Sequence, residues 1–147
     1  MLMAGGYYRF LDHMTDAVIE AHGASLEEAF EQAARGLNDT MIDLAEVRPD
    51  REIEIDAEGH DLESLLFDWL DKVMLLLVAD GIVTSDFSVR IRKERDDRYT
   101  LHGVVRGEKL DLSRHKYKVE IKAVTYHEMV VRQEQDGGAT VRFLLDL

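Results

Sequence analysis

The sequence predicts an α+β fold, a single compact domain with two main helices packed on a largely antiparallel or mixed sheet layer of about seven to eight strands. Three observations carry this. Two stretches, 26–44 and 62–77, repeat apolar residues at helical spacing. Most of the remaining chain alternates apolar and polar residues, the period of half-buried strands. Only one proline, Pro49, and no Ser/Gly-rich linker interrupt 147 residues, so residues 1–147 read as one domain. A chain of this length buries roughly 68–70% of its unfolded surface, enough for a core without staples.

Taken in order, 7–11 and 17–21 read as short strands separated by the polar Asp12-His13-Met14-Thr15-Asp16. Ser25 with Glu28 three residues on is a capping box, and Leu26, Ala29, Phe30, Ala33, Ala34, Leu37 and Met41 form one helical stripe running to about Leu44. Glu52-Ile53-Glu54-Ile55-Asp56 alternates as a strand. Asp61 is a good N-cap for the second stripe, Leu62 to Leu77, and Gly81 stands where a helix C-terminal glycine belongs. Beyond it, 87–92 and 99–106 read as a hairpin turned at Asp96-Asp97. Residues 110–116 are a connection, 119–126 and 129–133 are strand-like, and Asp136-Gly137-Gly138 turns the chain into a last strand at 141–145.

Composition narrows function. Thirty Asp plus Glu against 18 Lys plus Arg give a net charge of −12, the wrong sign for a broad grip on a phosphate backbone, so strong direct nucleic-acid binding is not expected. With no cysteine there is no disulfide, thiolate zinc site or Cys nucleophile. The longest apolar run, 73–79, falls short of the about 20 residues of a membrane helix, and residues 1–10 lack the pattern of a signal peptide. No membrane association and a cytoplasmic location are the expectations.

Two acidic features attract attention. Asp12 and Asp16 interrupt the first two strands, and Asp146 stands beside the terminal carboxylate of Leu147. On spacing alone these read as solvated carboxylates or as ligands for a hard divalent cation such as Ca²⁺ or Mg²⁺, which prefers oxygen donors. Pairing of the first and last strands would bring the two ends together.

The stretch Tyr8-Arg9-Phe10-Leu11-Asp12-His13-Met14-Thr15-Asp16-Ala17-Val18-Ile19, followed by Ser25-Leu26-Glu27-Glu28-Ala29-Phe30, resembles the start of archease. So do Gly107-Glu108-Lys109-Leu110-Asp111, Lys122-Ala123-Val124-Thr125-Tyr126-His127 and the final Asp146-Leu147. The resemblance implies a non-enzymatic accessory protein of tRNA splicing. Such a protein activates the GTP- and metal-dependent RNA ligase that joins tRNA halves, promoting its guanylylation and repeated turnover. It also implies a bound divalent cation, calcium, held by Asp16, Asp146 and Leu147. One departure stands out. The family motif reads His-Thr-Ala-Asp, whereas this chain has His13-Met14-Thr15-Asp16; the His-to-Asp spacing of three assigns the ligand role to Asp16, and the threonine has moved by one position.

An alternative partner reading is a chaperone that tunes a tRNA cytosine methyltransferase. A third, a metal-dependent phosphoester hydrolase using Asp12, His13, Asp16 and Asp146, lacks a phosphate-cradling glycine loop and an evident general base. His13 could order Asp16 by hydrogen bonding. His127 reads as a strand histidine or a partner contact, and Lys122 as an alternating strand cation. Arg90, Arg92, Lys93 and Arg95 form the one basic cluster and read as a solvated sheet face or an RNA contact. Ser113 and His115 stand too close in sequence to suggest a catalytic pair.

Overall fold

Alternation in the first thirty residues resolves into two strands, β1 (Tyr7–Leu11) and β2 (Asp16–Gly23), in a computed structural model that describes residues 5–11 and 16–147. Asp12, His13, Met14 and Thr15 lie outside the described residues. Helix α1 (Leu26–Met41) follows. The Ser25 hydroxyl accepts from the Glu28 amide at 3.1 Å, while the Glu28 carboxylate reaches back to the Ala24 amide at 2.7 Å, one residue earlier than in a reciprocal box. The helix ends three residues before the predicted Leu44. Ile42 turns extended to bridge Tyr117, and Asp43 caps a separate 3-10 turn at Leu44–Glu46.

Strand β3 (Arg51–Gly59) leads to α2 (Leu62–Val78), whose N-terminus has a full capping box between Asp61 and Ser64. Gly81, with φ +68°, takes the left-handed conformation that glycine adopts after a helix. Strands β4 (Ile82–Arg95) and β5 (Arg98–Lys109) form the expected hairpin. The two strand-like pieces beyond the 110–122 connection are one strand, β6 (Ala123–Gln133), bulged between Thr125 and Val130; Glu128 has φ +57° there. Strand β7 (Ala139–Asp146) completes the fold.

The seven strands divide into two antiparallel sheets, β1-β2-β7-β6 and β3-β5-β4. This is the predicted α+β class, with the strands in two layers instead of one. Helix α1 packs against β2 and β4, and α2 against β3 and β6, so each helix touches both sheets. Their facing sides form one core around Trp69, Phe30, Leu37, Leu66, Ile19 and Phe143, all fully buried. Trp69 on α2 donates its indole N–H to the Phe30 carbonyl of α1 at 3.0 Å and meets Phe87 edge-on. Its ring lies over Gly103, where an added Cβ would come within 2.6 Å of Cζ3. At Gly107 a Cβ would stand 1.9 Å from the Val83 carbonyl oxygen, so only glycine lets β5 approach β4 there. Among the described residues no helix is long and apolar enough to cross a membrane.

Candidate metal centre

The β2–β7 ladder sets the site. Its register pairs Gly23 with Ala139 at one end and Asp16 with Asp146 at the other, so two residues 130 positions apart stand directly opposite each other. Direct cross-strand partners share a sheet face and have Cα atoms about 4.5–5.5 Å apart. Two carboxylates so placed repel, and like charges directly opposite are destabilising. Asp146 is exposed and Asp16 half-buried.

The same face shows how this sheet treats a carboxylate it neutralises. Four residues along, Glu20 on β2 stands between Arg9 on β1 and Arg142 on β7. Arg9 donates at 2.6 and 2.9 Å and Arg142 at 3.2 Å. Burial works against ionisation of Glu20, but the two guanidinium hydrogen bonds outweigh it and hold its carboxyl below the usual range. In the Asp16–Asp146 row the β6 position across β7 from Asp16 is Ala123.

Of the predicted ligands, then, the ladder brings Asp16 and Asp146 together, and half-buried Leu147 follows directly. All three offer oxygen, which suits a hard divalent cation and not zinc or copper. Among the described residues there is no group of three or more His, Asp or Glu that could hold a metal ion. The two aspartates alone would therefore supply only part of an oxygen donor set. The hydrolase constellation also needs Asp12 and His13, which lie outside the described residues.

The neighbouring motif is anchored to the same strand end. Lys122 donates its backbone N–H to the Asp146 carbonyl at 2.7 Å, and Ala123 pairs with Asp146. Thr125 donates its hydroxyl to the Leu144 carbonyl at 3.2 Å and accepts from the His127 amide at 3.2 Å. Tyr126 lies flat on Phe67 of α2, with centroids 4.3 Å apart at 6°. His127 is exposed on the bulge, beside Glu128.

Sequence reasoning missed the role of His115. It is buried, and its Nδ1 accepts the Asp111 amide at 2.9 Å, so that nitrogen carries no proton. Nε2 therefore donates to Glu108, 3.0 Å away. Glu108 also accepts from Arg114 and from the Arg48 amide at 2.7 Å. Ser113 bonds to Asp111, not to His115. The cluster ties the 110–122 connection to the end of β5. Spacing gave no signal of it, because the neutral tautomer and the Arg48 contact depend on packing.

Arg114, with smaller help from the Arg48 amide and His115, holds the Glu108 carboxyl down from 4.5 to about 2. Because the folded value is depressed, this carboxylate contributes stability above about pH 4.5 that is lost as the pH falls towards 2. Glu108→Gln keeps the shape but gives up the charge-assisted bonds; it is expected to cost about 1–3 kcal/mol at pH 7. Urea titrations at pH 7 and pH 3 check this, and the gap between wild type and variant should narrow at the lower pH.

Comparison with known proteins agrees with this fold. The model of the Archease protein family (MTH1598/TM1083) matches residues 8–147. The protein archease of Pyrococcus furiosus is 38% identical over 136 residues, covering 92% of this chain and 95% of its own length. That of Methanopyrus kandleri is 39% identical over 137 residues, covering 93% and 96%. The solution structure of protein 1598 from Methanobacterium thermoautotrophicum superposes with a TM-score of 0.76 at 35% identity, covering 95% of this chain and 98% of that one. With more than a third of its residues shared over nearly its whole length, and the same architecture, the chain belongs to the archease family.

Proposed function

We propose that this protein is a non-enzymatic activator of the GTP- and metal-dependent RNA ligase of tRNA splicing, acting through an acidic cation site at the β2–β7 strand ends. Family membership supports an accessory role. The observation that carries the site is the direct opposition of Asp16 and Asp146. Asp16, Asp146 and Leu147 would hold the divalent cation, calcium, through oxygen atoms, and the cation would neutralise their charge and clip the two strand ends together.

The chain's own part is to preset this arrangement. The ladder fixes both carboxylates on one sheet face, beside the Arg9–Glu20–Arg142 row. An anionic or cation-loaded prominence of this kind suits a protein surface that itself binds metal and nucleotide phosphates. The string from Lys122 to His127 lies beside it, with the bulge held against α2 by Tyr126, and would extend the same contact surface.

The test is ligation by the RNA ligase at substrate excess, with and without a trace of this protein. Wild type should restore repeated turnover, and Asp16→Ala should reduce the stimulation at least tenfold while keeping the wild-type circular dichroism spectrum. Stimulation by both proteins alike would remove the acidic site from the mechanism. Stimulation by neither would overturn the activator reading.

A further inference from the structure

The open face of the β3-β5-β4 sheet carries a second electrostatic pattern. Its rows run β3, β5, β4. At one end Glu52, Arg106 and Asp86 form a compensated row, with Arg106 bonded at 2.8 Å to Glu52 and 3.2 Å to Asp86. Four residues along β5 the row reads Asp56, His102, Arg90, and the next reads Glu58, Thr100, Arg92. The β4 position that held an acid now holds arginine twice.

The carboxylates of these rows are engaged by the central strand and its turn. His102 places Nδ1 2.7 Å from Asp56 and Nε2 3.1 Å from Glu54. A carboxylate at each nitrogen raises the pKa of His102 and favours its protonated form. Glu58 pairs with Arg98 at 2.9 Å. Arg90 and Arg92 make no hydrogen bond or ion pair among the described residues, and both are exposed. Arg90 faces His102 directly across the ladder, and the two repel when the imidazole is protonated. Arg90 and Arg92 are two residues apart on one face, about 7 Å along the strand. A hollow of about 590 Å³ opens beside them, lined also by Lys72, Arg98, Thr100 and His102 and by the engaged carboxylates Asp56 and Glu58.

We propose that Arg90 and Arg92, with Arg98 and His102 at its rim, form a binding site for the phosphate groups of a compact polyphosphate anion. Guanidinium groups bind phosphate oxygens in pairs, and two of them at this spacing span a diphosphate. The hollow is of small-ligand size. The net charge of −12 repels an extended polyanion and leaves a short, locally held anion as the better fit. The site is on the sheet opposite to the one carrying Asp16 and Asp146 and does not rest on the ligase reading.

The test is calorimetric titration of EDTA-treated protein with sodium pyrophosphate, so that no metal at the acidic site binds the probe. A parallel titration uses an oligouridylate lacking terminal phosphates, which presents the same phosphate chemistry as a backbone. Pyrophosphate should bind with a sub-millimolar Kd. The Arg90→Gln/Arg92→Gln double variant should weaken it at least tenfold, and Arg106→Gln, from the compensated row, should change it less than twofold. Thermal melts establish that all three proteins are folded. Equal binding by wild type and the double variant, or no binding at millimolar pyrophosphate, would overturn the proposal. Arginine-dependent binding of the oligouridylate alone would overturn it too, since the ligand would then be a nucleic-acid backbone.

Discussion

Calcium added to metal-free protein is expected to raise its melting temperature, and the rise should vanish in Asp16→Asn and Asp146→Asn. The physical basis is the ladder that fixes two carboxylates opposite each other. A ligand present at about one hundred times its Kd stabilises the folded state by roughly 2.7 kcal/mol. For a chain of this size that corresponds to roughly 5–10 °C in Tm. Removing one carboxylate has two opposite consequences. It weakens the like-charge contact between the two strand ends, an effect that is largest at low ionic strength, where screening is weakest. It also removes a charged ligand, so their response to calcium should fall to a small fraction of the wild-type shift. Scanning calorimetry with EDTA or calcium, at two salt concentrations, reads both consequences. A full calcium shift in either variant would place the cation elsewhere; metal-free variants markedly less stable than wild type would mean the aspartates serve the fold by other bonds.

Trp69→Ala should be the most damaging single core substitution. The indole is fully buried between the helices and the β3-β5-β4 sheet, holds the Phe30 carbonyl of α1 and packs edge-on against Phe87. Truncation of a large buried aromatic costs about 3–5 kcal/mol, a large part of the about 5–15 kcal/mol that stabilises a typical domain. It also leaves the Phe30 carbonyl without its indole donor. Trp69→Phe keeps most of the volume and should cost less, about 1–3 kcal/mol, chiefly for the lost hydrogen bond and the residual gap. Trp69 is the only tryptophan, so wild-type unfolding can be followed by its fluorescence and the variants must be followed by circular dichroism. Urea midpoints for the three proteins order the effects. A Trp69→Ala midpoint within error of wild type would show that the helix–sheet contact is not centred on this ring. The site at Asp16 and Asp146 belongs to the other sheet, so at saturating calcium both variants should retain the calcium-dependent rise wherever they are folded.

Local physics made the helices legible. The stripes from Leu26 and from Leu62 repeat at helical spacing, and Ser25, Asp61 and Gly81 cap them with side chains or backbone freedom that act within a few residues. The hairpin from β4 to β5 was equally legible, because both strands alternate and a short polar turn joins them. The order of motifs along the chain was enough to reveal the family. What the sequence left undetermined is set by contacts between distant residues. Whether strands share one layer or two depends on which faces the helices cover, and here each helix covers part of both sheets. The end of α1 shifted because Ile42 found Tyr117, 75 residues on. His115 takes a neutral tautomer only because packing delivers the Asp111 amide to one nitrogen and Glu108 to the other. Sequence alone marked Asp16 and Asp146 as acids worth watching; the β2–β7 register made them a pair, because a ladder moved by one residue would turn one of them to the opposite face.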